Sequence, residues 1–207
     1  MKAVKVLAIS VAGLSAMVAV VAGRPVGSVA ANSELIAEAV ADPNGNLHVP
    51  ADYRTTYQFL GTWAVAADEG RGSDELHVVY ASPGTITAFR KDGHFPDGAV
   101  LVKEVHRAAT GQMTTGTVSH ADSLRGWFVM VKDSSDRYAS KNHNLWGDGW
   151  GWSWFDAADR SRPALNLPLP GGGAATSTDY RENCKSCHLP AQATDWIYID
   201  GYPPLRR

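Results

Sequence analysis

At 207 residues, with 44% hydrophobic and 19% charged positions, the chain has room for one ordinary domain and a targeting segment. A formal net charge of −2 exerts no global pull on nucleic acid or anionic membranes, so no nucleic-acid partner is expected. The only two cysteines are Cys184 and Cys187, which argues against a disulfide framework and against a structural zinc site built from two cysteine pairs.

Met1-Lys2-Ala3-Val4-Lys5 supplies positive charge, Val6 to Gly23 is an uncharged apolar run, and Ser28 and Ala30 are placed for cleavage before Ala31. Residues 1–30 therefore read as a secretion signal, with residues 31–207 as the exported domain. A retained membrane anchor is the alternative, because the run is about long enough to span a bilayer. Both readings place the body of the protein in the periplasm.

Ala31 to Ala41 has helical spacing, and Asp42-Pro43-Asn44-Gly45-Asn46 predicts a turn. Tyr53 to Leu60 reads as helical, and Trp63 and Val65 begin a strand-like alternation. After the loop composition of Glu69 to Asp74, Leu76 to Ala81 reads as a strand. Ser82-Pro83 opens a helix carrying Ile86 and Phe89, with Ser82 as its cap, and Asp92-Gly93 ends it. Strands are expected at Ala99 to Val105, Thr114 to Ser119 and Trp127 to Val131, and a short helix at Asp133 to Lys141. Trp150, Trp152 and Trp154 alternate with small residues, so three indoles share one strand face, as core or a dimer contact. Pro163 to Gly173 is linker-like. Strands that cluster without βαβ alternation give an α+β class, with an antiparallel-leaning sheet.

Cys184-Lys185-Ser186-Cys187-His188 is the attachment signature of a c-type haem. Two thiols this close can both add to the vinyl groups of one porphyrin, and His188 follows as the axial ligand of the iron. A thioredoxin-type redox pair is the rival, but it normally lies in a βαβ context that this chain lacks. One covalently attached haem c is expected. No methionine follows His188; Met113 and Met130 lie upstream and read as core filler, and the six other histidines read as surface or hydrogen-bonded groups. The far side of the iron is expected to be open.

Several blocks, in order, resemble one family. They are Tyr53-Arg54, Gly61-Thr62, Val78-Val79-Tyr80, the stretch Phe95 to Glu104, Val131-Lys132-Asp133-Ser134, the haem motif, Thr194-Asp195 and Tyr202 to Arg206. The chain resembles cytochrome P-460 and its relative cytochrome c′-beta. That resemblance implies a mostly antiparallel β-sheet domain with flanking helices, a homodimer and a five-coordinate haem. Lys103 matches the lysine that hydroxylamine-oxidising members link covalently to the porphyrin. Phe128 stands where those members place a distal glutamate, and no carboxylate occurs between Asp122 and Asp133. The c′-beta relatives instead bind nitric oxide behind an apolar cap.

Periodicity leaves Lys103 open. Leu101, Lys103 and Val105 share one strand face and Val100, Val102 and Glu104 the other, so each face carries two apolar residues and one charge. Inward, an unpaired ammonium is costly and is relieved by deprotonation or covalent capture; outward, Lys103 is an ordinary solvated lysine. Phe128 is equally readable as plain strand packing. Two functions follow. One is oxidation of hydroxylamine at a lysine-linked haem, with electrons passed to a periplasmic electron-transfer protein; the other is non-catalytic binding of nitric oxide. A six-coordinate electron carrier using Met113 or Met130 is the third and plainest reading.

Overall fold

A computed structural model describes residues 40–67, 72–169 and 173–206. The expected signal over residues 1–30 and all but the end of the Ala31–Ala41 helix lie outside the described residues. Residues 68–71 and 170–172 also lie outside them.

The order of elements is helix α1 (Tyr53–Thr56), strands β1 (Gln58–Ala66) and β2 (Ser73–Ala81), helix α2 (Thr85–Asp92), strands β3 (Val100–Met113) and β4 (Gly116–Lys132), and strands β5 (Trp146–Gly147) and β6 (Trp150–Asp156). Two single-turn helices, α3 (Tyr180–Asn183) and α4 (Lys185–His188), and three short 3₁₀ turns complete the chain. The strands form one antiparallel six-stranded sheet in the order β1-β2-β3-β4-β6-β5, and the α+β expectation holds.

Both faces of the central strands are covered, which is why Val100 to Val105 is so nearly apolar. One face packs Val100, Val102, Trp127, Val129 and Phe155 under the N-terminal stretch, the turns bearing Tyr138, and Trp146 of β5. The other packs Leu101, Met130, Trp150 and Trp152 under α2 and the C-terminal segment, which contributes Tyr180, Trp196 and Tyr202.

Four expectations change. The Tyr53–Leu60 helix is one turn, and the chain is already extended from Gln58. The helix after Pro83 starts at Thr85, with Gly84 (φ 83°) as its N-cap; the Ser82 hydroxyl instead accepts from Val100 N at 3.0 Å and pairs with Thr85 Oγ1. Thr114–Ser119 and Trp127–Val131 belong mainly to one long strand, β4, because the polar part of the β3–β4 hairpin runs beyond the core and loses its apolar alternation. The Asp133–Lys141 helix is a series of turns. There Asp133 accepts from the backbone N–H groups of Arg137 and Tyr138, both at 3.1 Å, offering the chain an alternative to helical bonding.

Candidate functional site

Asp179 caps α3 by accepting from Arg181 N at 2.9 Å, and Cys184 then separates α3 from α4. His188 N donates to Cys184 O at 3.2 Å, closing a single turn. Residues three and four apart lie on one side of such a turn, so Cys184, Cys187 and His188 are presented together. They line a cavity of about 510 Å³ between the C-terminal segment and the sheet. A volume in the roughly 300–1,000 Å³ range is that of a cofactor or small-molecule site.

His188 is oriented by its ring. Its Nδ1 donates to the carbonyl of Trp196 at 2.7 Å, which leaves Nε2 as the free nitrogen. Trp152 stands edge-on to the imidazole, with ring centroids 5.1 Å apart. Burial holds His188 below the usual histidine range, so the lone pair is retained near neutral pH. The carbonyl is held in place by an unusual backbone: Asp195 and Trp196 both adopt left-handed φ, 60° and 67°. Such strain persists only where surrounding contacts impose it. Here Trp196 N donates to Ala191 O at 2.9 Å, and Asp195 accepts from Lys132 Nζ at 2.6 Å, Phe95 N at 3.1 Å and Trp150 Nε1 at 3.3 Å.

Cys184 and Cys187 are not bonded to each other. Burial pushes the Cys184 thiol up to about 12, so it is a neutral thiol in an apolar setting. Among the described residues no cluster of three or more His, Cys, Asp or Glu side chains is arranged for a bare metal ion. Two unpaired thiols, an oriented imidazole and flat aromatic walls fit a porphyrin held through thioethers, with His188 on its iron.

The sheet forms the opposite wall. Lys103 and Phe128 are direct cross-strand partners on β3 and β4, and both line the cavity. Lys103 Nζ sits 4.2 Å from the centroid of the Phe128 ring, which itself packs on Trp154 at 4.8 Å. Burial lowers the Lys103 amine from 10.5 to about 8, against the upward pull of Glu75 and the two cysteines. Glu104 faces the other way. It is 3% exposed and binds Tyr53, Arg54 and His106 on the far side of the sheet. The strand face that periodicity left open is thereby assigned.

Of the expected site residues, Lys103, Phe128, Cys184, Cys187 and His188 meet at one cavity. Met113 does not line it: it lies at the β3–β4 hairpin tip, 59% exposed, whereas Met130 is on the cavity wall. Trp150 is core, as expected, but Trp152 and Trp154 also line the cavity, so the indole stripe is more than packing. The linker-like stretch contributes Leu167 and Leu169 to the wall, and Leu167 is buried against Val105 and Trp154.

The sequence reading missed Glu75, His77 and Arg125, which bring polar groups into the same cavity. Alternation places Glu75, His77 and Val79 on one face of β2, but only the partner layer shows that this face is the cavity wall.

A family model for cytochrome P-460 matches residues 50–199. No curated protein matches the chain significantly.

Proposed function

The chain belongs to the cytochrome P-460 family, which makes it a haem c cytochrome, and on that premise we propose that it oxidises hydroxylamine and passes the electrons to a periplasmic electron-transfer protein. In this reading the protein is exported through residues 1–30 and works as a homodimer. Each chain carries one haem, attached through Cys184 and Cys187, with His188 as the axial ligand and a further bond from Lys103 to the porphyrin. When bound, the haem supplies an electron sink with an open iron position for the nitrogen of the substrate.

One observation carries the reading: the Lys103 amine shares a cavity with both cysteines and His188, and its pKa of about 8 leaves a substantial unprotonated, nucleophilic fraction at neutral to mildly alkaline pH. Cys184 and Cys187 would anchor the group, His188 would offer its free Nε2 to the iron, and Trp152 and Trp154 would supply apolar wall to the site. Proteolysis of the purified holoprotein should leave one haem joining the Cys184–Cys187 peptide to the Lys103 peptide by mass. The intact protein should reduce an external acceptor in steady state with hydroxylamine. A haem mass on the cysteine peptide alone, with no turnover, would refute the reading.

Phe128 favours a second reading, a nitric-oxide-binding protein of c′-beta type, because it places an aromatic ring on the cavity wall where a carboxylate would be expected. Tight binding of nitric oxide to the reduced protein without hydroxylamine turnover would select it.

A further inference from the structure

A second functional group stands on the cavity wall, on strands remote from the haem motif. His77 Nε2 lies 2.9 Å from Glu75 Oε2, and the other oxygen of Glu75 is bound by Arg125. All three side chains line the cavity, and the Glu75 and His77 side chains are 21% and 16% exposed. With Glu75 ionised and accepting, the proton of a neutral His77 is fixed on Nε2. Nδ1 then keeps its lone pair, and no hydrogen-bond partner for it occurs among the described residues. This is the arrangement of an oriented general base: a carboxylate fixes the tautomer and stabilises the imidazolium that forms.

The fold builds this group with a β-bulge. Val105 pairs with Gly126 and His106 with Leu124, so Arg125 is the extra residue of β4 and has no partner on β3. Strict alternation from Phe128 would turn Arg125 to the far face and Leu124 to the cavity. The bulge reverses this parity: Leu124 packs into the far-side core and Arg125 reaches Glu75. Bulges beside active sites commonly re-aim a side chain in this way. A glycine is required next to it, because a Cβ at Gly126 would lie 2.1 Å from Phe155 O and 2.6 Å from Trp154 Cη2.

We propose that His77, oriented by the Arg125-clamped Glu75, is the proton acceptor for hydroxylamine in this cavity, to which β4 presents Phe128 and no carboxylate. The inference rests on the hydroxylamine reading. In the step, an N–H bond of the substrate breaks and its proton goes to His77 Nδ1. The electron pair stays on nitrogen; both electrons then pass to the external electron-transfer protein while the O–H proton is released to solvent, so the substrate loses two electrons and two protons in all. The proton then leaves His77 for solvent. Among the titratable and charged groups, Glu75 on the same strand, Lys103 on β3 and Arg125 on β4 face this imidazole. Burial first and Lys103 second lower its pKa, while Glu75 opposes them, so the ring is neutral and ready to accept at pH 7.

The test uses the holoprotein and two readouts. In steady-state turnover, His77→Gln should lower kcat by about 10²–10⁴-fold and abolish the acidic limb of the pH profile. Glu75→Gln should keep that limb but move it to lower pH, because the imidazolium loses its counter-charge. Independently, carbon monoxide added to the reduced protein should show a C–O stretching frequency that changes between about pH 5 and 8 in the parent and not in His77→Gln. A pH-dependent stretch that survives in His77→Gln, together with an unchanged kcat profile, would overturn the proposal. If the parent shows the His77-dependent stretch but never turns over hydroxylamine, the functional reading and His77 as its base fail together, leaving only a histidine that faces the ligand. A pH-insensitive stretch in a parent that does turn over would instead overturn His77 alone.

Discussion

Replacing Glu104 by alanine tests how the strand carrying Lys103 is held against the cavity. The Glu104 carboxylate is buried behind β3, where it accepts from Tyr53 Oη, lies 2.5 Å from Arg54 Nε and 2.9 Å from His106 Nε2. Tyr53 Oη in turn accepts from Trp127 Nε1 at 2.8 Å, so one truncation disturbs a five-member network. Removing one partner of a buried charged pair costs about 3–5 kcal/mol. The lower end applies here, because the Arg54 side chain is 57% exposed and regains water when its partner is lost. A loss of about 3 kcal/mol lowers Tm by roughly 6–12 °C in a domain of this size. Tyr53→Phe, which leaves Trp127 Nε1 without its acceptor, should cost about 1–3 kcal/mol. Thermal unfolding of the haem-loaded protein, followed by far-ultraviolet circular dichroism, gives both numbers, and the double variant should cost less than their sum. Burial alone would raise the Glu104 carboxyl, but its bonds from Arg54, His106 and Tyr53 outweigh that and hold it below the ordinary 4.5. A carboxyl with a depressed folded-state pKa stabilises the fold above its unfolded value and loses that contribution as pH falls through the folded one. The gap between parent and Glu104→Ala should therefore be full above about pH 5 and shrink below about pH 4.5. A Glu104→Ala protein within about 0.5 kcal/mol of the parent at pH 7 would refute the reasoning.

Gly126→Ala forces a methyl group against Phe155 O and the Trp154 ring, and should destabilise by about 1–3 kcal/mol in denaturant unfolding. Asp195→Asn removes the charge that pairs with Lys132 beside the strained Trp196 turn, and should cost about 2–4 kcal/mol, read by loss of the haem absorbance transition on heating. Lys103→Met should leave haem only on the Cys184–Cys187 peptide after proteolysis, while the visible spectrum changes to that of an ordinary c-type haem.

The class of fold was legible because strand alternation and turn residues are local signals, but strand lengths were not. The β3–β4 hairpin is long because its strands pair with each other beyond the core, where hydrogen bonding rather than apolar alternation sustains them. Helical spacing at Tyr53–Leu60 and Asp133–Lys141 gave way to sheet pairing in one case and to the Asp133 carboxylate's backbone bonds in the other.

The sequence by itself determined how the two cysteines and the histidine of the motif stand to one another. Cys184, Cys187 and His188 lie within one helical turn, so their mutual position follows from local geometry alone. It also marked Lys103 and Phe128 as candidates, through matched blocks. Only the tertiary structure decided that Lys103 faces the cavity and Glu104 the far core, because the two sheet faces are alike in sequence and differ in what covers them. It alone brought Glu75 and His77 from β2 and Arg125 from β4 to that cavity, since neither a strand's partner layer nor a bulge that inverts its parity is written in the local pattern of residues.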